Sequence, residues 1–331
     1  MIPDLMEEVE RIKPVMIRVG DEYVTGKLGH IKEIGDRPAD DVVTDTDLDI
    51  SDELLGAVRD RFPLSFTEES LKLNPEDSAR DKETPGPRYG FDPVDGSLEL
   101  KARNLEIKGE LHPAPGCSVK GGSGMIASLF DEYNQPILMV GYTPETKTFI
   151  YCTLDKGPVV EIDGALQQPA EPQDKIVGVQ RTVVRLQRLQ DFYEFLADKE
   201  NKELEIIEGG GPGAMASRIV TEGVNVYIDS IASNWKEWDT MGIDIIGQSL
   251  GGGVSDLAGN KLHYIQEDPK RHQGMVLSLT SHLGLSHSGL IDRIREFGDK
   301  YGKPLLEPDQ REWVSVYEHY EKSMADPKFL V

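Results

Sequence analysis

The stretch that most constrains this chain is Phe91-Asp92-Pro93-Val94-Asp95-Gly96-Ser97. Two carboxylates flank a proline whose φ is fixed, and a glycine and a hydroxyl follow, so the local backbone has few choices. An ordinary Asp-Gly turn is the plainest reading. Against it stand the second aspartate, the proline and the serine, all in one short segment. Carboxylate oxygens and a backbone carbonyl are the ligands that a hard cation such as Mg²⁺ prefers. Gly96 lets the backbone approach closely, and a helix beginning at Ser97 would turn its free N–H groups into an anion site.

Composition narrows the setting. A chain of 331 residues, 38% hydrophobic, suits two domains or one large composite one. No apolar run approaches the ~18–20 residues that span a bilayer. The N-terminus, Met1 to Glu8, is acidic and has no basic segment before an apolar one, so no signal peptide is expected and a cytoplasmic protein is. Cys117 and Cys152 belong to no CxxC pair or Cys/His cluster, which points to reduced thiols and away from zinc. With 36 Lys+Arg against 59 Asp+Glu the net charge is −23, which disfavours long nucleic acids and anionic membranes as partners. That charge serves solubility, and some of the carboxylates are available to divalent cations.

The chain reads as a sheet-rich first half followed by alternating strands and helices. Leu5, Val9, Ile12 and Met16 form one helical face, which Pro14 is expected to kink or end early. Residues 21–40 read as a loop or hairpin. Asp41 to Asp47 would cap a helix from about residue 47 carrying Leu48, Leu54, Leu55 and Val58 inward, and by spacing alone Asp47 is simply a cap. Phe62–Thr67 reads as a short strand ending in Glu68-Glu69-Ser70, ordinarily a solvated loop, and 71–90 as a mobile loop. Residues 99–120 look irregular and slightly basic. From Gly124 to Thr153 three apolar runs separated by turns predict an antiparallel meander.

In the second half, Ile176–Val179 reads as a strand with Arg181 at its end, a candidate phosphate contact although a surface arginine is commoner. A helix over about 183–198 follows. Leu204–Glu208 runs into Gly209-Gly210-Gly211-Pro212-Gly213 and a helix, a glycine run that either cradles a phosphate or sugar or is a plain hinge. No Gly-Lys-Ser/Thr follows, so it is not a P-loop. Asn225–Asp229 is a strand; Asp239 opens a helix that Gly251-Gly252-Gly253 ends. Residues 254–256 and 262–264 read as a terminal hairpin, 275–278 as a last strand, and 288–301 and 309–325 as closing helices.

Four of these pieces in order resemble the inositol monophosphatase superfamily of magnesium-dependent, lithium-sensitive phosphomonoesterases: Asp41-Val42-Val43-Thr44 to Asp47, Glu68-Glu69-Ser70, Asp92-Pro93-Val94-Asp95-Gly96-Ser97, and Trp238-Asp239 with glycines after it. Each motif is weak to moderate alone; together they cover roughly residues 40–280. The passages from Gly209 to Thr240 and from Gly252 to Tyr264 are similar to those of the 3'(2'),5'-bisphosphate nucleotidases, which remove the 3'-phosphate of adenosine 3',5'-bisphosphate.

The resemblance implies a layered αβαβα sugar-phosphatase fold of the inositol monophosphatase/fructose-1,6-bisphosphatase kind. Residues 1–155 would form an α+β metal-binding half, 156–285 an α/β half completing the site, and 286–331 a helical extension. It implies that Glu68, Asp92, Asp95 and Asp239 hold two or three Mg²⁺ ions with the Val94 carbonyl, and that lithium inhibits. Asp47 would help place the attacking water, and the Ser97 hydroxyl, with Glu68, would orient it. Gly96 and Ser97 N–H groups would hold the phosphate, with Arg181, Gly210 and Gly211 as further substrate contacts. Ser97 stands where the family usually has threonine, and Leu98-Glu99-Leu100 departs from the Asn/Lys-aromatic pattern, so residues 99–123 look like a remodelled insertion beside the substrate. The expected partner is a small phosphate ester, a 3'-phosphorylated nucleotide before an inositol or sugar phosphate. The helices after residue 285 are candidates for assembly, as in a homodimer. A non-catalytic metal- or nucleotide-binding regulator on the same fold is the alternative of another class; retention of all four acidic positions argues against it.

Overall fold

The computed structural model describes residues 4–31, 44–73, 86–109, 120–181, 187–229, 237–262, 264, 274–301 and 305. The fold rests on two sheets. The first contains β1 (Phe66–Thr67), β2 (Arg88–Asp95), β3 (Gly124–Phe130), β4 (Pro136–Thr143), β5 (Thr148–Thr153), β6 (Gly157–Ile162) and β7 (Ala165–Gln167), neighbouring one another in chain order. All pairs are antiparallel except β1–β2. The second has the order β11-β12-β10-β8-β9, from β8 (Lys175–Arg181), β9 (Glu203–Gly209), β10 (Val226–Asp229), β11 (Gly253–Ser255) and β12 (Met275–Ser278). Its β8 runs parallel to β9 and β10, and β12 antiparallel to β10 and β11.

The period-2 pattern of the strands explains the layers. In β3, Met125, Ala127 and Leu129 face the core beneath α1 (Leu5–Val19) and α2 (Asp45–Val58), while Ile126 and Phe130 face the opposite way. That opposite side packs on α6 (Pro212–Thr221) and α7 (Glu237–Ser249), whose other side meets Val177, Val179, Tyr227 and Leu277 of the second sheet. Ile176, Val226, Ile228 and Val276 point outward to α5 (Gln187–Glu200) and α8 (His287–Tyr301). The stack is therefore helix, sheet, helix, sheet, helix, the layered αβαβα order expected.

Several local expectations are corrected. α1 passes through Pro14 to Val19 because Val9, Ile12, Met16 and Val19 are buried on one stripe on either side of the lost hydrogen bond. Beyond it, Gly20–Thr25 is a π-helical turn and not a loop or hairpin; residues 32–40 lie outside the described set. The strand at 62–67 shrinks to Phe66–Thr67, and Glu68 opens a short helix, α3 (Glu68–Leu73), where a loop was expected. The stretch expected to be irregular begins with a helix, α4 (Ser97–Lys108), bounded by left-handed Gly96 and Gly109. Its apolar residues lie on two faces, Leu98, Ala102 and Leu105 on one and Leu100 and Ile107 opposite, so no single stripe marks the helix, which rests on good helix formers and its C-cap glycine.

β11 pairs with β12; of the arm expected at 262–264, Leu262 and Tyr264 are buried and neither is in a strand, and His263 lies outside the described residues. The meander over 124–153 stands as expected, and the first sheet continues beyond it through β6 and β7. The helix at 309–325 and Cys117 lie outside the described residues; Cys152 is a free, buried thiol pushed up to about 11 by burial.

Candidate active site

The floor is built at the end of β2. Four residues of that strand, Asp92 to Asp95, lie against three of β3, because Asp92 pairs with Ile126 and Asp95 with Gly124. This bulge absorbs Pro93, which has no N–H for a ladder. The Val94 N–H folds back onto Asp92 Oδ1 at 3.1 Å. Gly96 then takes φ +83°, a conformation a side chain strains, and reverses the chain into α4, whose Leu100 N–H donates to the Gly96 carbonyl. The Asp-Gly turn and the strand end are thus one structure.

Two acidic segments are brought to this floor. β1 lies parallel to β2 with Thr67 opposite Phe91, so Glu68 leaves the strand at the level of Asp92. Thr67 and Ser70 cap each other across the first turn of α3, Thr67 N–H to Ser70 Oγ at 2.9 Å and Ser70 N–H to Thr67 Oγ1 at 3.0 Å. Asp47, on the first turn of α2, accepts the Thr44 N–H at 2.7 Å and the Thr44 hydroxyl on Oδ2. Its other oxygen accepts the Ser97 hydroxyl at 3.2 Å, and that hydroxyl also lies 2.9 Å from the Val94 carbonyl. The N-cap is therefore Thr44, and Asp47, expected to be the cap itself, is its reciprocal partner inside the first turn and also a neighbour of Ser97.

Asp47, Glu69, Asp92 and Asp95 are each at most 5% exposed. Burial pushes the Asp47 carboxyl up to about 7, the Thr44 bonds oppose that rise, and the charges of Glu69 and then Glu68 add to it. Glu69, which the sequence reading left without a role, thus weighs more on Asp47 than Glu68 does. Buried carboxylates, a hydroxyl and the Val94 carbonyl are donors of the kind a hard divalent cation takes. Among the described residues no three Asp, Glu, His or Cys side chains converge closely enough to hold one.

The second half closes over the floor. Asp95 Oδ2 accepts the Gly213 N–H at the start of α6, and the Gly211 N–H donates to the Gly122 carbonyl at 2.9 Å. A Cβ on Gly210 would fall 1.7 Å from the Gly122 oxygen, and one on Gly211 2.3 Å from Asp95 Oδ1. Gly210 and Gly211 are therefore required for contact with the floor, which goes beyond a hinge. Arg181 ends β8 opposite Gly209, placing it next to this glycine run. Asp239 is the third residue of α7, and Met241 and Gly242 of the same turn pack against Gly90 and against Ile126, the partner of Asp92. The side chains of Arg181 and Asp239 lie outside the described set.

Thr44, Gly122 and Gly213 were not singled out as site residues. Thr44 was legible as the start of a Thr-x-x-Asp cap and Gly213 as the last glycine of its run; nothing local marks Gly122.

An inositol monophosphatase of Thermotoga maritima is similar over 89% of this chain and 99% of its own, with a TM-score of 0.62 and 16% identity. The fold is that of the inositol monophosphatases. A dual inositol monophosphatase/NADP phosphatase complexed with NADP and Ca²⁺ is similar over 89% of this chain and 97% of its own, TM-score 0.61, 18% identity. A staphylococcal inositol monophosphatase in a LiCl-soaked inhibitory complex is similar over 88% and 96%, TM-score 0.60, 17% identity. No protein-family model and no curated protein sequence matches the chain. At these identities the likeness establishes the inositol monophosphatase fold alone.

Proposed function

We propose that the chain is a Mg²⁺-dependent phosphomonoesterase. The observation that carries this is the Ser97 hydroxyl lying between Asp47 Oδ1 and the Val94 carbonyl, at the turn that joins the Asp92–Asp95 strand end to a helix N-terminus. Glu68, Asp92, Asp95, Asp239 and the Val94 carbonyl would hold two or three Mg²⁺ ions, with Li⁺ as an inhibitor. Bound there, such ions neutralise the phosphate dianion and lower the pKa of water. The Ser97 hydroxyl and Glu68 would orient the attacking water, and Asp47, whose Oδ1 accepts that hydroxyl, would help to place it. The first N–H groups of α4, with that of Gly96, face the phosphate oxygens. Arg181, Gly210 and Gly211 complete the substrate side.

The preferred substrate is a 3'-phosphorylated nucleotide such as adenosine 3',5'-bisphosphate. The sequence from Gly252 to Tyr264 supports this, as does the structural neighbour that holds NADP. An inositol or sugar phosphate is the second reading, favoured by the inositol monophosphatases among the similar structures. Turnover of adenosine 3',5'-bisphosphate, inositol 1-phosphate and fructose 1,6-bisphosphate with Mg²⁺ separates them. The nucleotide is expected to give the highest kcat/KM. A higher value for inositol 1-phosphate favours the second reading, and no turnover of any would leave only the non-catalytic regulator.

A further inference from the structure

Two side chains with no part in that chemistry close a ring around the floor. Glu145 lies in the 3-10 turn Pro144–Thr146 that follows β4, with its side chain only 6% exposed. Both its carboxylate oxygens are engaged: Oε1 accepts Arg103 Nε at 2.7 Å, and Oε2 accepts the Gly121 N–H at 2.8 Å. Arg103 projects from α4, the helix that starts on Gly96, and its Nη1 also donates to Glu106 at 2.8 Å. Gly121 has φ +69° and is followed by Gly122, whose carbonyl takes the Gly211 N–H. Two residues on, the Gly213 N–H holds Asp95, which precedes Gly96. The circuit therefore runs from Asp95 and Gly96 along α4 to Arg103, across Glu145 to Gly121-Gly122, and through Gly211 and Gly213 back to Asp95.

We propose that Glu145 and Arg103 are positioning residues that set the orientation of Asp95, and with it the metal affinity of the floor. The inference rests on the reading of Asp95 as a metal ligand. Beside the Asp95 carboxylate, the backbones at Gly96, Gly122 and Gly211 meet directly: a Cβ on Gly96 would lie 2.6 Å from the Gly122 oxygen and 3.2 Å from the Gly211 nitrogen. Contacts this close transmit a shift of one segment directly to the next. Gly121-Gly122 has no side chain with which to anchor itself, so the Glu145 carboxylate supplies the anchor. The charged guanidinium strengthens that carboxylate's hold by fixing its other oxygen. Gly213 in turn fixes one oxygen of Asp95, as groups behind a metal ligand generally do.

The test is Mn²⁺ binding by the full-length chain, followed by the metal's electron spin resonance well below the unfolding midpoint, with the metal-free midpoint measured alongside. Glu145→Gln keeps the shape but loses the charge, and an about tenfold loss of Mn²⁺ affinity is expected. Arg103→Gln should lose less in the same direction, and it carries the test if Glu145→Gln does not fold. The exchange Arg103→Glu with Glu145→Arg rebuilds the ion pair but leaves the Gly121 N–H without its acceptor, so it should recover the midpoint and not the affinity. Wild-type affinity in Glu145→Gln or Arg103→Gln, or its full recovery in the exchange, overturns the proposal. Failure of the wild-type chain to bind Mn²⁺ would instead overturn the reading of the floor as a metal site.

Discussion

Asp47 bonds the Thr44 cap of α2 with one oxygen and the Ser97 hydroxyl with the other, is buried, and feels the charges of Glu69 and Glu68. Its carboxyl is raised from 3.8 to about 7 in the folded chain. An acid whose folded pKa is raised binds its proton more tightly folded than unfolded, so this contribution to stability is complete below about pH 4 and is lost as pH rises to about 7. Under chelator, unfolding free energy should therefore decline over that window, and Asp47→Asn should flatten the decline. An unchanged slope in the variant, measured by denaturant titration at several pH values, would show that burial of Asp47 does not set it. At the same scale, Asp92, Pro93, Asp95 and Gly96 were legible in the sequence because rigid, acidic and flexible residues fell within one segment. Glu69 was not, because its adjacency to Glu68 hides which of the two turns inward.

The elements around the floor are fixed by contacts remote from it. Glu8 of α1 is fully buried; its Oε2 accepts Arg11 Nη2 at 2.5 Å and the Tyr89 hydroxyl at 3.4 Å, and its Oε1 is ion-paired with Arg61 Nη1 at 2.8 Å. Arg11 also donates to the Ala57 carbonyl, so this one carboxylate ties α1 to the end of α2 and to β2. Removing one partner of a buried pair strands the others; because both arginines are partly exposed, Glu8→Ala should cost about 2–4 kcal/mol, read by denaturant unfolding. A cost below 0.5 kcal/mol, roughly that of a surface change, would deny the network that role. The meander at 124–153 was legible since its period is two and its turns are marked. α4 was not, because its apolar residues fall on two opposite faces and mark no single stripe, and the partner of β11, β12, lies twenty residues away in sequence. Local pattern identifies an element more readily than its partner.

At the scale of the whole molecule, three apolar clusters alternate with two sheets, and alternate residues of single strands feed different clusters. That alternation places the end of β2 from one sheet against the glycine run between β9 and α6 of the other, so the floor is completed only when both halves are packed. Asp92 and Asp95 come from the first half and the N–H groups of Gly211 and Gly213 from the second. The sequence carried this architecture through the order of its motifs, not through any one of them. Phosphate release from adenosine 3',5'-bisphosphate as a function of Mg²⁺, for wild type and for Asp95→Asn of matched circular dichroism, tests the assignment of the floor most directly. Saturable dependence on Mg²⁺ in the wild type and a loss of at least about 100-fold in the variant are predicted; release that ignores Mg²⁺, or that survives Asp95→Asn, would contradict it.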